Sequence, residues 1–204
     1  MLSEEQTREI FETATFLAEG NNPIKVDDIV ETVNHFEAFD HILDHLHDEL
    51  TENLIKELHY ILKKGTSFEH EGLPTGDYKK YANIIGGIVE TTPQGEVAEK
   101  MKQLLTEYRQ LEHKIFDVLV DFHVRFERIH PFQDGNGRVG RLILYKECLN
   151  YGIIPFIITD EYKSYYYRGL NEYNKEKGYL MDTLLLMQDQ YTDVCTYLGV
   201  LGHD

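Results

Sequence analysis

An all-α fold carrying one small β-hairpin is what this sequence predicts, and three observations point to it. Apolar side chains recur at helical spacing along most of the 204 residues. The stretch from Gly65 to Gly95 breaks that spacing with six of the fifteen glycines and two of the five prolines. Its one apolar run, Ala82 to Val89, is short, β-branched and interrupted by Gly86-Gly87, as a tight hairpin requires.

The first helix is expected over Leu2 to Ala18 (Ile10, Ala14 and Leu17 on one face) and stops at Gly20-Asn21-Asn22-Pro23. A second runs from about Val26 to Leu50 with Ile29, Val33, Phe36, Phe39, Leu43 and Leu46 in its apolar stripe. Thr51 reads as the N-cap of a third, with Leu54, Leu58, Ile61 and Leu62 behind it and Gly65 at its end. The hairpin spans residues 81–93, on the surface, where its edge is open to strand pairing. Helical spacing resumes over Glu96 to Tyr108 and over Glu112 to Ile129, the latter with Ile115, Leu119, Phe122, Phe126 and Ile129. After the loop His130 to Gly137 a helix reaches Asn150, and Gly152 to Pro155 breaks it. Helices at about Asp160 to Lys177 and Leu180 to Leu198 complete a single domain over residues 1–204, without repeats or linkers.

Composition narrows the function. An apolar content of 42% supplies a sizeable core, and a net charge of −16 argues against general DNA or RNA binding. Any anionic ligand must be held by a local basic cluster. Cys148 and Cys195 make no disulfide framework, and no apolar run approaches the ~20 residues that span a bilayer. The charged start MLSEEQTREIFE has no signal-peptide core. The expectation is a cytoplasmic protein acting on neither nucleic acid nor membrane.

The basic cluster lies in His130-Pro-Phe-Gln-Asp134-Gly-Asn136-Gly-Arg138-Val-Gly-Arg141. Here a loop runs into a helix N-terminus. Gly135 and Gly137 allow close backbone approach, and the first N–H groups of the helix point at whatever sits there. Arg138 and Arg141, three apart, share a face of the first turn, where the helix dipole disfavours cations unless an anion compensates. Asp134 is a hard oxygen ligand suited to Mg²⁺, and His130 is a competent general base. The glycine spacing 135, 137, 140 with Asp160 downstream formally matches a dinucleotide fingerprint, but a charged helical run precedes it where that fingerprint needs a strand. Asp134-x-Asn136 starts like a calcium loop and fails at Arg138 and Tyr145. His41 and His45, with Asp44 and Asp48, read as a solvated acidic face, and His35, His47, His59, His70, His113, His123 and His203 as structural or exposed.

Residues 130–141 resemble the Fic family motif His-x-Phe-x-Asp/Glu-Gly-Asn-Gly-Arg-x-x-Arg at all eight fixed positions. The similarity extends to Gly76-Asp-Tyr78, the hairpin, the helix before the motif and Tyr166-Tyr167 after it, with Lys79 where many relatives carry arginine. The resemblance implies a helical bundle with a hairpin flap that transfers AMP from ATP to a Ser, Thr or Tyr hydroxyl of a target protein, including itself. It implies that His130 deprotonates the hydroxyl, and that Asp134 holds Mg²⁺. Gly135, Asn136 and Gly137 would cradle the phosphates, which Arg138 and Arg141 grip. Phe132 would anchor the loop, Tyr167 and Asn174 line the adenine pocket, and the flap at Ile84 and Ile85 hold the target by strand addition. Thr15-x-x-x-Glu19-Gly20 resembles the family's inhibitory motif, here within an N-terminal helix over residues 1–20, with Glu19 aimed at Arg141. From another class, the alternative is a degenerate module that binds nucleotide or target without turnover.

Overall fold

The computed structural model describes residues 2–13, 24–85 and 89–200. Helix α1 (Glu4–Thr13) and α2 (Val26–Asp44) are followed by α3 (Glu52–Lys63), the single turn α4 (Ser67–His70), and strands β1 (Ile84–Ile85) and β2 (Val89–Glu90). A 3₁₀ turn, Gln94–Glu96, leads into α5 (Val97–Gln110), then α6 (Phe116–Ile129), α7 (Asn136–Asn150), α8 (Lys163–Glu172) and α9 (Gly178–Tyr197). The strands pair antiparallel, Ile84 opposite Glu90 and Ile85 opposite Val89, so the ladder is much shorter than residues 81–93.

Helices α6 and α7 are the axis of the molecule. They pack on each other, α7 also meets α2 and α3, and α6 meets α5. Leu119, Phe122 and Phe126 of α6 join Leu58, Met101 and Ile143 in the main core. Its opposite side, Val120 and Val124, faces a second cluster with Tyr166, Tyr173, Leu180 and Leu184 of the α8–α9 pair. A helix buried on two sides needs more than one apolar stripe, and the single stripe expected for α6 captured only one of them. Ile115, counted in that stripe, is 59% exposed at the N-cap position.

Thr51 caps α3 as expected, its hydroxyl accepting from the Leu54 N–H at 3.2 Å. The stripe assigned to α2 is corrected. Its core-facing residues are Asn34, Ala38 and Ile42, whereas Val33 and Leu43 are 47% and 42% exposed. Helix α2 carries apolar groups on a second side, where Phe36 meets Phe11 of α1 with ring centres 4.8 Å apart. Asn34 is accepted in the core because its amide donates to the Leu62 and Lys64 carbonyls at the end of α3. The helix expected over Asp160 to Lys177 is shorter, and the region 65–95 also holds the unpredicted α4. Among the described residues no helix is long and apolar enough to cross a membrane.

Candidate active site

Helix α6 ends at His130, the one non-glycine residue among those described with positive φ, 51°. A side chain held there costs about 1–3 kcal/mol of backbone strain, which the surrounding contacts must offset. The chain turns back through Gly135, at φ 79°, into the first turn of α7. Gly140 serves a different need: a Cβ there would stand 2.5 Å from Glu127 Oε1, so the glycine lets α6 and α7 approach at the motif.

Three sets of contacts fix the loop. Phe132 is fully buried and stacks on His59 of α3, ring centres 4.0 Å apart and planes within 2°. His59 Nδ1 accepts from the Gly76 N–H at 2.9 Å, so Nε2 carries the proton and donates to the Asp134 carbonyl at 3.1 Å. The Asn136 amide grips Phe132, accepting from its N–H at 2.7 Å and donating to its carbonyl at 2.9 Å. The Asn136 side chain is thereby committed to holding the loop, which leaves the backbone N–H groups of the first turn of α7 to face a phosphate. From the hairpin side, the Lys79 N–H donates to the Pro131 carbonyl at 2.9 Å and Asn83 Nδ2 to the Phe132 carbonyl at 3.1 Å. Buried Lys79 Nζ ties Asn83 to Thr91 across the base of the hairpin.

The electrostatics of the loop lower both His130 and Asp134. Burial, with a smaller effect of Lys79, holds His130 below the ordinary histidine range. Its Nδ1 faces the Glu127 carbonyl at 3.3 Å, which leaves Nε2 with the free lone pair. Burial pushes the Asp134 carboxyl up, but the hydrogen bond from Lys63 at 2.7 Å, with the charges of Lys63 and Arg138, outweighs it and keeps Asp134 ionised. Glu31 of α2 completes a quartet, bonding both Lys63 and Arg138. Sequence reasoning missed Glu31 and Lys63, and it read His59 as structural or exposed without placing it at this loop. The signal was a titratable pair, His59 and Lys63, four apart among Ile55, Leu58 and Leu62 on the buried face of α3.

Arg138, Arg141 and Tyr167 line a cavity of about 750 Å³ that His130 and Asp134 do not line. Asn174 lies apart from it, exposed, accepting from Arg128 Nη1 at 2.6 Å. Ile84 and Ile85 form β1, and Thr15 and Glu19 fall outside the described residues. Among the described residues no group of three or more His, Cys, Asp or Glu could enclose a metal.

Three histidines make stability acid-sensitive. Burial lowers His35 and His59 to about 4 and His123 to about 3. Below pH 6.5 the unfolded chain takes up protons that the folded chain refuses, so stability is full above 6.5 and declines as pH falls towards 4 and 3. Each histidine should contribute a slope of up to about 1.4 kcal/mol per pH unit in that window. Urea unfolding between pH 7.5 and 4.5 checks this; a flat profile contradicts it.

The Fic/DOC family model matches residues 49–148. Over 104 residues the chain is 32% identical to the protein adenylyltransferase Fic of Drosophila willistoni, covering 49% of this chain and 20% of that one. It is 35% identical over 85 residues to a probable protein adenylyltransferase of Aquifex aeolicus, 40% of this chain and 26% of the relative. The matched stretch therefore spans about a fifth to a quarter of these relatives. A Fic domain containing signaling protein from Bacteroides thetaiotaomicron superposes with a TM-score of 0.77 at 21% identity, covering 96% of this chain and 78% of that one. Fic-1 from C. elegans superposes with a TM-score of 0.78 at 21% identity, covering 98% and 58%. At such identities these two likenesses speak to the fold.

Proposed function

Because the chain belongs to the Fic/DOC family, whose model spans residues 49–148, we propose that it is a protein adenylyltransferase, moving AMP from ATP to a Ser, Thr or Tyr hydroxyl of a target protein. The observation that carries the reading is His130, its Nε2 lone pair free at the head of the loop that leads into the N-terminus of α7. Nε2 takes the hydroxyl proton as the oxygen forms its bond to the α-phosphorus; the α–β P–O bond breaks and pyrophosphate leaves. Arg138 and Arg141 take up the charge that moves onto the leaving group, and the N–H groups of Asn136 and Gly137 support the phosphates.

Asp134 fits Mg²⁺ in chemical type, one ionised hard-oxygen group that leaves further coordination to the nucleotide's oxygens and water. The ion would supply neutralisation of phosphate charge. For these groups to act, Lys63 has to share Asp134, and Arg138 has to leave Glu31. Tyr167 and Asn174 remain the candidates for the adenine side. The hairpin, bonded to the motif loop through Lys79 and Asn83, remains the candidate for target docking by strand addition.

Incubation with labelled ATP and Mg²⁺, in lysate and alone, tests the reading by label on a protein target or on the chain itself. Thr15 and Glu19 enter the proposal as a brake on Arg141. Glu19→Gly is expected to raise label transfer several-fold with little change in thermal midpoint, and equal incorporation by wild type and variant contradicts the brake. No incorporation by either one, with nucleotide still bound, favours a binding module without turnover.

A further inference from the structure

Arg138 and Arg141 do not face the cavity alone. Across from them, on α2, stands His35, which lines the same 750 Å³ cavity. Its Nδ1 is shut off from solvent, and neither ring nitrogen has a hydrogen-bond partner among the described residues. A buried imidazole nitrogen left unpaired costs free energy in the resting protein, and a bound acceptor would recover it. The surroundings say what kind of acceptor. The charged or titratable groups that line the cavity with His35 are Asp28 and Glu31 from its own helix, Arg138, Arg141, Tyr145 and Cys148 from α7, and Lys163 and Tyr167 from α8. Arg141 and Arg138 are close enough to act on His35 electrostatically, Glu31 already engages Arg138, and Lys163 at the cavity wall pairs with Asp160.

We propose that His35 is a third binding group for the terminal phosphate of the nucleotide, donating a ring N–H beside Arg138 and Arg141. This rests on the reading of the two arginines as phosphate ligands. Burial, then the positive charges of Arg141 and Arg138, lower the histidine to about 4, so the resting ring is neutral. A neutral ring still carries one N–H to donate, and a phosphate that offsets the arginine charges relieves the unfavourable field on it. The contact is made only by a nucleotide long enough to reach past the α-phosphate. His35 is therefore assigned to discrimination between ATP and AMP.

Calorimetric titration of the full chain with MgATP and with AMP, in wild type, His35→Ala, His35→Gln and Arg141→Ala, decides the matter. His35→Ala is expected to lose about tenfold in ATP affinity, the worth of a hydrogen bond to a charged group, and nothing in AMP affinity. His35→Gln, which keeps an N–H donor, should recover most of that loss. His35→Leu replaces His35→Ala if the alanine variant does not fold. Unchanged ATP affinity in the donor-less variant, or equal losses for ATP and AMP, overturns the assignment of His35. An Arg141→Ala variant that binds ATP as wild type does instead overturns the reading of the arginines on which it rests.

Discussion

His130→Ala is expected to lose label transfer by about 10²–10⁴-fold while still binding ATP, the usual effect of removing a general base. The separation of the two readouts follows from the site. His130 closes α6 and does not line the cavity that Arg138 and Arg141 line, so its loss should leave their hold on the nucleotide intact. Stability gives a further check. Alanine at φ 51° stays strained, whereas His130→Gly should abolish transfer equally and relieve roughly 1 kcal/mol of backbone cost. Wild-type transfer with its histidine held below the ordinary range should persist at pH values where a free imidazole is half protonated, falling only on further acidification. Transfer by His130→Ala at the wild-type rate contradicts the role of base.

Phe132→Ala is expected to be the most destabilising single change in the motif, at about 3–5 kcal/mol by chemical unfolding. The ring is fully buried, stacked on His59 and within 6.0 Å of Tyr78 and 6.5 Å of Phe126, measured between ring centres. Its neighbours are held by their own packing and hydrogen bonds, so most of the cavity would persist. The damage should reach function as well. The Phe132 backbone is the partner of both ends of the Asn136 amide, and the Asp134 carbonyl is held by the same His59 that the ring stacks upon. Phe132→Leu keeps part of the volume and should cost less. A loss below about 1 kcal/mol for the alanine variant contradicts the role of anchor.

What was legible in the sequence was local. Residues 130–141 place a histidine, a carboxylate, turn glycines and two arginines within twelve positions, along one loop and one helix turn. The cap at Thr51 was legible because it acts three residues away, on Leu54. The missed groups act at long range. His59 meets Asp134 across 75 residues, Lys63 meets it across 71, and Glu31 meets Arg138 across 107. Each of them sits in a helix whose periodicity explains the helix and is silent about a partner on another element. The face of α2 was misread for a related reason. A helix with apolar groups on two sides has no single stripe, and only packing against α3 and α7 reveals that Asn34, Ala38 and Ile42 point inward.

The Glu31–Lys63–Asp134–Arg138 quartet gives the resting site two positive and two negative groups. A helix N-terminus with arginines is ordinarily an open trap for any passing anion. Here the trap already holds a tethered occupant, because a carboxylate fixed on α2 competes at an effective concentration that a dilute ion cannot match. Arrival of a ligand is therefore an exchange: Glu31 must be outbid at Arg138, and Asp134 must be offered a cation in place of part of its bond to Lys63. A lone sulfate or inorganic phosphate brings neither enough charge nor a cation of its own. A polyphosphate chelating a divalent ion brings both, so selectivity begins with the contacts the site must first give up.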